Sequence, residues 1–353
     1  MFTRILPLCL ALIPTGLLAQ SLQGITFAHQ DWELACDNTG TCRAAGYQAD
    51  EDEAALPFSI LLTRAAGADA PITGEIQPAL YRADNSPISI HQQQGELLLN
   101  QQSLGKVQFK QQANTAALTP TQTQAIVAAL VQPNSHIEFR SGKEHWQLSD
   151  KGAAAVFLKM DEFQQRLHTP NALIRKGNRH TPVLAARPIP ILRVPKVPSG
   201  TFTPLARNSR THQRLLQKLR HTINSEQCPQ LHDTEFEQYI TLAPLNSQKT
   251  LVEATCQTYA YNYDNLYVIM NPSLNTIQTV LPAGNNGYSN SSGVGELSAT
   301  HKIRGIGDCW HNTTQVWKGK QFIPSQTNSN SLCRGFAGGA WHMPSLITHV
   351  TTQ

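Results

Sequence analysis

The sequence predicts an α+β protein that is mainly antiparallel β, with two disulfide-bonded domains. Three observations predict this class. Short runs of alternating apolar and polar residues, typical of half-buried strands, recur along the 353-residue chain. Only a few segments carry an apolar stripe at helical spacing. The cysteines fall in pairs on either side of turn-forming residues, and a Pro-rich stretch divides the chain near its middle.

The first residues predict a cleavable signal peptide over residues 1–19. A short basic start, Met1–Arg4, precedes an apolar run, Ile5–Leu18, and the small residue Ala19 follows as the exit. The apolar run is too short to span a bilayer comfortably. Cys9 would be removed with this segment. We therefore expect an exported protein, periplasmic or secreted, without an integral membrane segment.

The six cysteines that remain indicate three disulfide bonds, because an even number in an exported chain is typical of paired thiols. A bond between Cys36 and Cys42 would close a hairpin whose turn is the sequence DNTGT. Cys309 and Cys333 lie on opposite arms of a hairpin turned at Lys318-Gly319, with residues 327–331 expected to form a loop or bulge. Cys228 and Cys256 pair by elimination. The C-x-x-C spacing of a cysteine-based metal site does not occur.

A Pro-rich segment predicts the domain boundary. Residues 187–204 read RPIPILRVPKVPSGTFTP, and prolines lack amide donors, which excludes a helix or a central strand. We expect an extended linker over residues 177–208 between an N-terminal domain, 20–176, and a C-terminal domain, 209–353. Because no predicted disulfide crosses the linker, each domain should fold independently when the chain is cut there.

The first domain should combine strands with two helices. Thr119 is a good cap for a helix that has Pro120 at its first position. A second helix carries an apolar stripe from Val156 to Leu167, which predicts a core position rather than a cofactor or partner groove. Beside the Cys36–Cys42 hairpin, the predicted strands are Phe58–Thr63, Ile88–Gln92, Glu96–Leu99, Lys106–Lys110, His136–Arg140 and His145–Leu148.

The second domain should begin with a helix over roughly Ser209–Asn224 and continue as antiparallel strands. One face of this helix is apolar and the other is basic. The basic face indicates solvent exposure or, as the alternative, contact with an anionic envelope polymer or membrane surface. Residues 285–295 are expected to form a long loop. The predicted strands are Thr250–Tyr261, Leu266–Met270, Thr276–Leu281, Glu296–Arg304, Thr314–Trp317 and Gln321–Pro324.

Three tyrosines are the candidate binding residues. Tyr259, Tyr261 and Tyr263 recur at every second position, so on a strand they share one face. Asn262 and Asp264 lie among them. If the tyrosines are exposed, their rings could stack on a sugar while the amide and carboxylate hold its hydroxyls, which would make an envelope glycan site. The alternative is that the tyrosines pack on cross-strand neighbours.

The sequence offers no established catalytic pattern. It contains no G-x-S-x-G, H-E-x-x-H, Walker or dinucleotide-binding motif. A net charge of +4 is too small for a nucleic-acid-binding protein. The C-terminal histidines could in principle bind a metal, but none is spaced as a ligand pair, so no metal or other cofactor is predicted. These histidines are His301, His311, His342 and His349.

Several segments together resemble a known family. They are Asp31–Tyr47 (DWELACDNTGTCRAAGY), Cys256–Asn262 (CQTYAYN), Arg304–Cys309 (RGIGDC), Trp317–Gly319 (WKG) and Cys333–Gly335 (CRG). They are similar to the bacterial Domain of Unknown Function family 1176, over nearly the whole chain after the signal. Trp310 and Lys318 stand where the family pattern has a small and an acidic residue. The first half more loosely resembles the invasion-associated locus B type of exported β domain. The first resemblance implies an exported envelope protein without an established activity and without catalytic residues to transfer.

The expected function is therefore non-catalytic. The sequence favours an exported cell-envelope protein that binds a protein or glycan partner. Two alternatives stay open. One is a metal-dependent hydrolase that uses the C-terminal histidines, which stoichiometric metal in the purified protein would favour. The other is a structural or stress-related envelope factor without a ligand, which envelope sensitivity of a deletion strain would favour.

Overall fold

The computed structural model describes residues 22–51, 55–82, 86–110, 113–200 and 202–353. The predicted signal peptide, with Cys9, lies outside the described residues. The described chain consists mostly of antiparallel sheets with few helices, which confirms the predicted β-rich class. Every helix in these ranges falls short of the length and apolar character that crossing a membrane requires.

The strands of the first half form two antiparallel sheets. In chain order they are β1 Ile25–His29, β2 Trp32–Cys36, β3 Cys42–Tyr47, β4 Phe58–Arg64, β5 Ile72–Pro78, β6 Gln94–Leu99, β7 Gln102–Gln108, β8 Ala116–Ala117, β9 Ile137–Ser141 and β10 Glu144–Leu148. One sheet has the order β1-β2-β3-β4-β5-β8, and the other has the order β10-β9-β6-β7. Helix α1, Pro120–Leu130, contacts β5 and β7, and helix α2, Ala153–Phe163, packs on β1, β2 and β3.

One apolar core joins these sheets and helices. Trp32, Phe139 and Phe157 are fully buried in it. The indole N–H of Trp32 donates to the carbonyl oxygen of Ser149 at 2.8 Å, so its polar atom is satisfied inside the core. Thr119 caps α1 as predicted, and its side chain accepts from the N–H of Gln122 in a capping box.

Two predicted elements of the first half differ in the structure. Residues 88–92 do not form a strand, because a short 3₁₀ turn covers His91–Gln93 and both Gln92 and Gln93 have positive φ. Backbone in that region cannot continue a β-ladder. Helix α2 ends at Phe163, so Leu167 of the predicted stripe lies beyond it.

The second half contains two five-stranded antiparallel sheets and one parallel strand pair. Its strands are β11 Ile191–Val194, β12 Thr203–Pro204, β13 Ile240–Asn246, β14 Lys249–Thr258, β15 Tyr263–Met270, β16 Ile277–Val280, β17 Gly287–Ser289, β18 Glu296–Lys302, β19 Trp310–Trp317, β20 Phe322–Asn330, β21 Pro344–Leu346 and β22 His349–Thr352. The helices are α3 Arg210–Thr222 and α4 Pro229–His232. Strands β12 to β16 form one sheet, β17 to β21 form the other, and β11 pairs in parallel with β22.

The sheet of β12 to β16 is buried on both faces. On one face α3 packs its apolar stripe, including Leu215 and Leu219, against residues such as Val268. On the other face Ile269 shares a cluster with Trp317 of the second sheet. This two-sided burial explains why β15 reads as a nearly continuous apolar run after its first residues.

The structure contains the three disulfides that the sequence predicts: Cys36–Cys42, Cys228–Cys256 and Cys309–Cys333. The last forms in a different way from the one expected. Residues 327–330 continue β20 instead of looping out, and Asn330 pairs with Trp310. The unequal arm lengths are absorbed by a register shift next to Thr314, nearer the turn.

The segment predicted to be a linker is packed against the rest of the chain. Residues 191–194 form β11, and Val194 is fully buried. The N–H of Arg187 donates to Thr39 in the first half at 3.0 Å, and the N–H of Val197 donates to Gly293 in the second half at 2.9 Å. The prolines flank β11 rather than interrupt it, which allows a short strand. Independent folding of the two halves stays a prediction, and these contacts weigh against it.

Apolar side chains of the two halves also share one buried cluster. Ala35 and Tyr47 from the first sheet pack with Phe336 and Trp341 from the C-terminal region. The indole N–H of Trp341 donates to the hydroxyl of Ser59 at 2.7 Å. The outer face of the first sheet is therefore covered by the second half.

Candidate functional site

The tip of the β14–β15 hairpin carries the predicted tyrosines. Strand β14 ends at Thr258 and β15 begins at Tyr263, so Tyr259 and Tyr261 lie in the turn and not on a strand as predicted. The N–H of Tyr259 donates to the carbonyl oxygen of Asn262 at 2.8 Å and closes this turn. The alternation of tyrosines imitated a strand because the turn contains no glycine or proline to mark it.

All three rings lie at the surface. Tyr259, Tyr261 and Tyr263 are 47%, 59% and 50% exposed, respectively. A tyrosine in a core would be almost wholly buried. Tyr267, which lies in the same strand as Tyr263, is an example. These three side chains are therefore not packed on cross-strand neighbours, as the alternative interpretation required.

A second loop, residues 302–309, is held against the hairpin tip. The side-chain amide of Asn262 donates to the carbonyl oxygen of Lys302 at 2.8 Å and accepts from its N–H at 2.8 Å. The ring of Tyr261 lies over Gly305, where an added Cβ would approach the ring Cε1 to 3.0 Å. Asn262 therefore links the two loops, and Gly305 leaves room for the Tyr261 ring.

Two exposed isoleucines flank Gly305 on that loop. Ile303 is 64% exposed and Ile306 is 54% exposed. Large aliphatic side chains at this exposure cost solvation free energy without any packing in return. We refer to five exposed side chains, three at the hairpin tip and two on the loop held against it, as the tyrosine surface. They are Tyr259, Tyr261, Tyr263, Ile303 and Ile306.

Of the polar side chains assigned to a sugar, Asn262 is engaged within the protein and Asp264 is largely buried. Both ends of the Asn262 amide bind Lys302, as described above. The Asp264 carboxylate lies 3.5 Å from the Tyr259 hydroxyl and 3.5 Å from Nε2 of His301. Desolvation and the neighbouring Asp264 carboxylate raise the pKa of Tyr259. Lys302, whose backbone binds Asn262, is itself exposed beside the tyrosine surface.

Other residues of the family-like segments meet in a buried junction between the two halves. The Glu33 carboxylate accepts from the Tyr47 hydroxyl at 2.6 Å. Its second oxygen accepts from the N–H of Ser331 at 2.8 Å and from the Ser331 hydroxyl at 2.6 Å. These bonds join β2 and β3 of the first half to the chain just after β20. We refer to this network, together with the ion pairs described next, as the polar junction.

Ion pairs complete the polar junction. Arg334 pairs with Asp31 at 2.9 Å and with Asp50 at 2.5 Å. The carboxylate of Asp308 accepts from Nε of Arg304 at 2.8 Å and from the N–H of Gly335 at 2.6 Å. The acidic residues that could suggest catalysis are thus hydrogen-bonded partners inside the fold.

Glu33 should make stability depend on pH. Burial raises the pKa of Glu33 above its ordinary value of 4.5, although hydrogen bonds from Ser331 and Tyr47 oppose this rise. Stability from a group with a raised folded-state pKa is present below the unfolded pKa and is lost as the pH rises through the folded pKa. We therefore expect the free energy of unfolding of the wild type, minus that of Glu33→Gln, to fall between acidic and neutral pH in urea denaturation.

The variant Tyr47→Phe provides the matched control for this measurement. This variant removes a donor that favours the ionised form of the Glu33 carboxylate, but Glu33 itself still titrates. The pH range over which the Glu33 contribution to the free energy of unfolding falls should therefore shift to higher pH. A difference between wild type and Glu33→Gln that rises with pH would show that the hydrogen bonds outweigh burial.

The C-terminal histidines do not assemble into one group. His301 and His311 are directly opposite each other on β18 and β19, whereas His342 contacts Gln326 and His349 begins β22. Among the described residues, one group of three metal-ligating residue types comes together: Asp308, Cys309 and Cys333. The two sulfurs of that group form a disulfide, which removes the thiolates that a metal would need.

Sequence reasoning missed the isoleucines of the tyrosine surface and the whole polar junction. The resemblance was the signal that could have indicated both. Residues 256–262 and 304–309 are two family-like segments, and they meet in the tyrosine surface. The segments 31–47, 304–309 and 333–335 meet in the polar junction.

Comparison with known proteins supports the resemblance. A search of the curated proteins finds no match to this chain, and a search of the solved structures finds none either. The family described as "Protein of unknown function (DUF1176)" matches residues 26–348. Since this match runs through both halves and all the segments that form the tyrosine surface and the polar junction, the chain belongs to the DUF1176 family.

Proposed function

We propose that this chain is a non-catalytic, exported cell-envelope protein that binds a partner protein through the tyrosine surface. The observation that carries the proposal is the joint exposure of three tyrosines at the β14–β15 hairpin tip and two isoleucines on the loop that Asn262 links to it. Exposed apolar patches on a folded chain mark interaction sites more often than chance. Tyrosine is also enriched among the residues that contribute most to protein–protein binding.

The chemistry of the tyrosine surface favours a protein over a glycan. A sugar site needs free amide or carboxylate groups beside its aromatic rings, but the Asn262 amide is bonded on both sides within the protein and the Asp264 side chain is only 16% exposed. Ile303 and Ile306 add aliphatic surface, which suits apolar side chains of a partner. The exposed Lys302 at the rim favours a partner with acidic residues around its apolar contact.

The disulfides support the export part of the proposal. Bonds of this kind persist in oxidising compartments outside the cytosol. Three of them in one chain are consistent with folding after export. The engagement of Asp31, Glu33 and Asp308 in the polar junction supports the non-catalytic part, because these carboxylates serve as partners of groups within the fold.

The variant Tyr261→Ala tests the proposal. The oxidised protein would be used to capture cross-linked partners from solubilised envelope, and the affinity for the partner so identified would then be measured. Truncating a central aromatic residue typically costs about 2 kcal/mol or more, so we expect affinity to fall at least about 30-fold. The melting temperature should change little, because the Tyr261 ring is more than half exposed.

Tyr239→Ala is the matched control, since Tyr239 is 58% exposed, lies against Arg207 and belongs to neither the hairpin tip nor the loop of residues 302–309. It should leave partner binding unchanged. If the wild type co-sediments with purified peptidoglycan and Tyr261→Ala does not, the partner is a glycan and not a protein. Equal binding by Tyr261→Ala, Ile306→Ala and the wild type would overturn the proposed surface.

A further inference from the structure

A basic groove lies between β11 and the turn that joins β19 to β20. Its volume is about 710 Å³, and its lining includes Arg193, Pro195, Lys318, Gly319 and Lys320. None of these residues belongs to the tyrosine surface or to the polar junction. The groove is therefore a separate feature from the site of the proposed function.

The turn places two lysines at the groove by its backbone geometry. The N–H of Lys318 donates to the carbonyl oxygen of Gln321 at 2.8 Å, which closes a two-residue turn over Gly319 and Lys320. Gly319 has φ of 92°, a conformation that glycine adopts without strain. The turn lies beside Pro195, whose Cγ is 3.7 Å from where a Cβ on Gly319 would be. Lys318 thus precedes the turn and Lys320 lies in it, next to the end of β11.

Among the residues that the structure describes, no Asp or Glu side chain lines the groove. The ammonium group of Lys318 donates to the main-chain carbonyl oxygen of Arg193, a neutral acceptor that holds the side chain without cancelling its charge. Arg193, Lys318 and Lys320 are all exposed. Within the described ranges, none of the three takes part in an ion pair. Like charges gathered in a concavity raise the local concentration of anions.

We propose that this groove binds a multiply charged phosphate group, such as a diphosphate. The groove volume falls within the range of small-molecule sites, about 300–1,000 Å³. The groove carries three positive charges, and a ligand with a single carboxylate would neutralise only one of them. The planar guanidinium of Arg193 offers paired donors of the geometry that phosphate oxygens accept, and the lysines supply point charges.

Calorimetric titration of the purified, oxidised protein with inorganic pyrophosphate and with inorganic phosphate tests the proposal. Any purification tag would be kept away from Gln353, which also lines the groove. Pyrophosphate should bind more tightly than phosphate. The double variant Lys318→Gln/Lys320→Gln should weaken pyrophosphate binding by about tenfold or more, and Arg193→Gln should weaken it separately.

The variant Lys143→Gln/Lys176→Gln makes the same change in charge at exposed lysines outside the groove. It should bind pyrophosphate as the wild type does. Binding to vesicles that contain phosphatidic acid, but not to free pyrophosphate, would support the proposal with a lipid headgroup as the phosphate source. An equal loss in both double variants would overturn it, as would a wild type that binds neither pyrophosphate, nor phosphate, nor the vesicles.

Discussion

Replacing Arg334 by alanine is expected to lower the free energy of unfolding by about 3–5 kcal/mol, the cost of removing one partner from a buried ion pair. Arg334 is 6% exposed, and its guanidinium lies 2.9 Å from the buried carboxylate of Asp31. Asp31 also accepts from the Ser149 hydroxyl at 2.5 Å, so the carboxylate is fixed in place and cannot turn to solvent. The variant would leave a buried negative charge without its cation.

Urea denaturation of the oxidised protein measures this loss. The control is Lys151→Ala, because Lys151 pairs with Glu51 at 3.0 Å where both side chains are largely exposed. Exposed pairs contribute little to stability, so the control should lose far less than Arg334→Ala. Similar losses in the two variants would show that the polar junction contributes no more than a surface ion pair.

The same denaturation curves address the predicted domain organisation. Arg334 belongs to the second half and Asp31 to the first, so their pair couples the two halves. If the halves form one cooperative unit, the wild type should unfold in a single transition. If they are independent domains, as the linker sequence predicts, two transitions should separate, and Arg334→Ala should separate them further.

Local patterns in the sequence predicted much of the secondary structure and the disulfides. The capping residue Thr119, the amphipathic pattern of α3 and the turn DNTGT between Cys36 and Cys42 are short-range signals, and each corresponds to an observed element. Such signals depend on residues within a few positions of one another. They can therefore be recognised without knowledge of the tertiary structure.

The polar junction could not be predicted in this way. Glu33 alternates with Trp32 and Leu34 in β2, and this pattern is typical of a strand with one face in solvent. Every residue of β2 is nevertheless buried, because the second half covers the outer face. Glu33 meets Ser331, almost 300 residues later in the chain. No local pattern encodes a contact at that separation.

The residue types of the tyrosine segment could be recognised in the sequence, but its backbone conformation could not. The residue types around Tyr261 drew attention to the segment, and the structure exposes the three tyrosine side chains. The prediction that the three tyrosines lie on one strand was wrong, because the hairpin turns within the tyrosine repeat. Ile303 and Ile306 join the surface only because Asn262 binds the backbone of Lys302, a long-range contact.

The bridge Cys309–Cys333 should contribute more stability than Cys36–Cys42. Their partners are 24 and 6 residues apart, respectively. In the chain-entropy account, closing the longer loop restricts the unfolded chain more, which predicts losses of about 3.5 kcal/mol and about 2.3 kcal/mol for the two serine double variants. Free energies of unfolding from urea melts would give both values. Equal losses, or a larger loss from Cys36→Ser/Cys42→Ser, would contradict this order.

The third bridge separates the entropic effect from the position of the bond. Cys228 and Cys256 are 28 residues apart, so loop closure alone predicts a loss similar to that for Cys309–Cys333. Cys309 and Cys333, however, directly adjoin Asp308 and Arg334 of the polar junction. We therefore expect Cys309→Ser/Cys333→Ser to lose more than Cys228→Ser/Cys256→Ser, because it also loosens the contact between the halves. Similar losses would mean that the bridge acts through the unfolded chain alone.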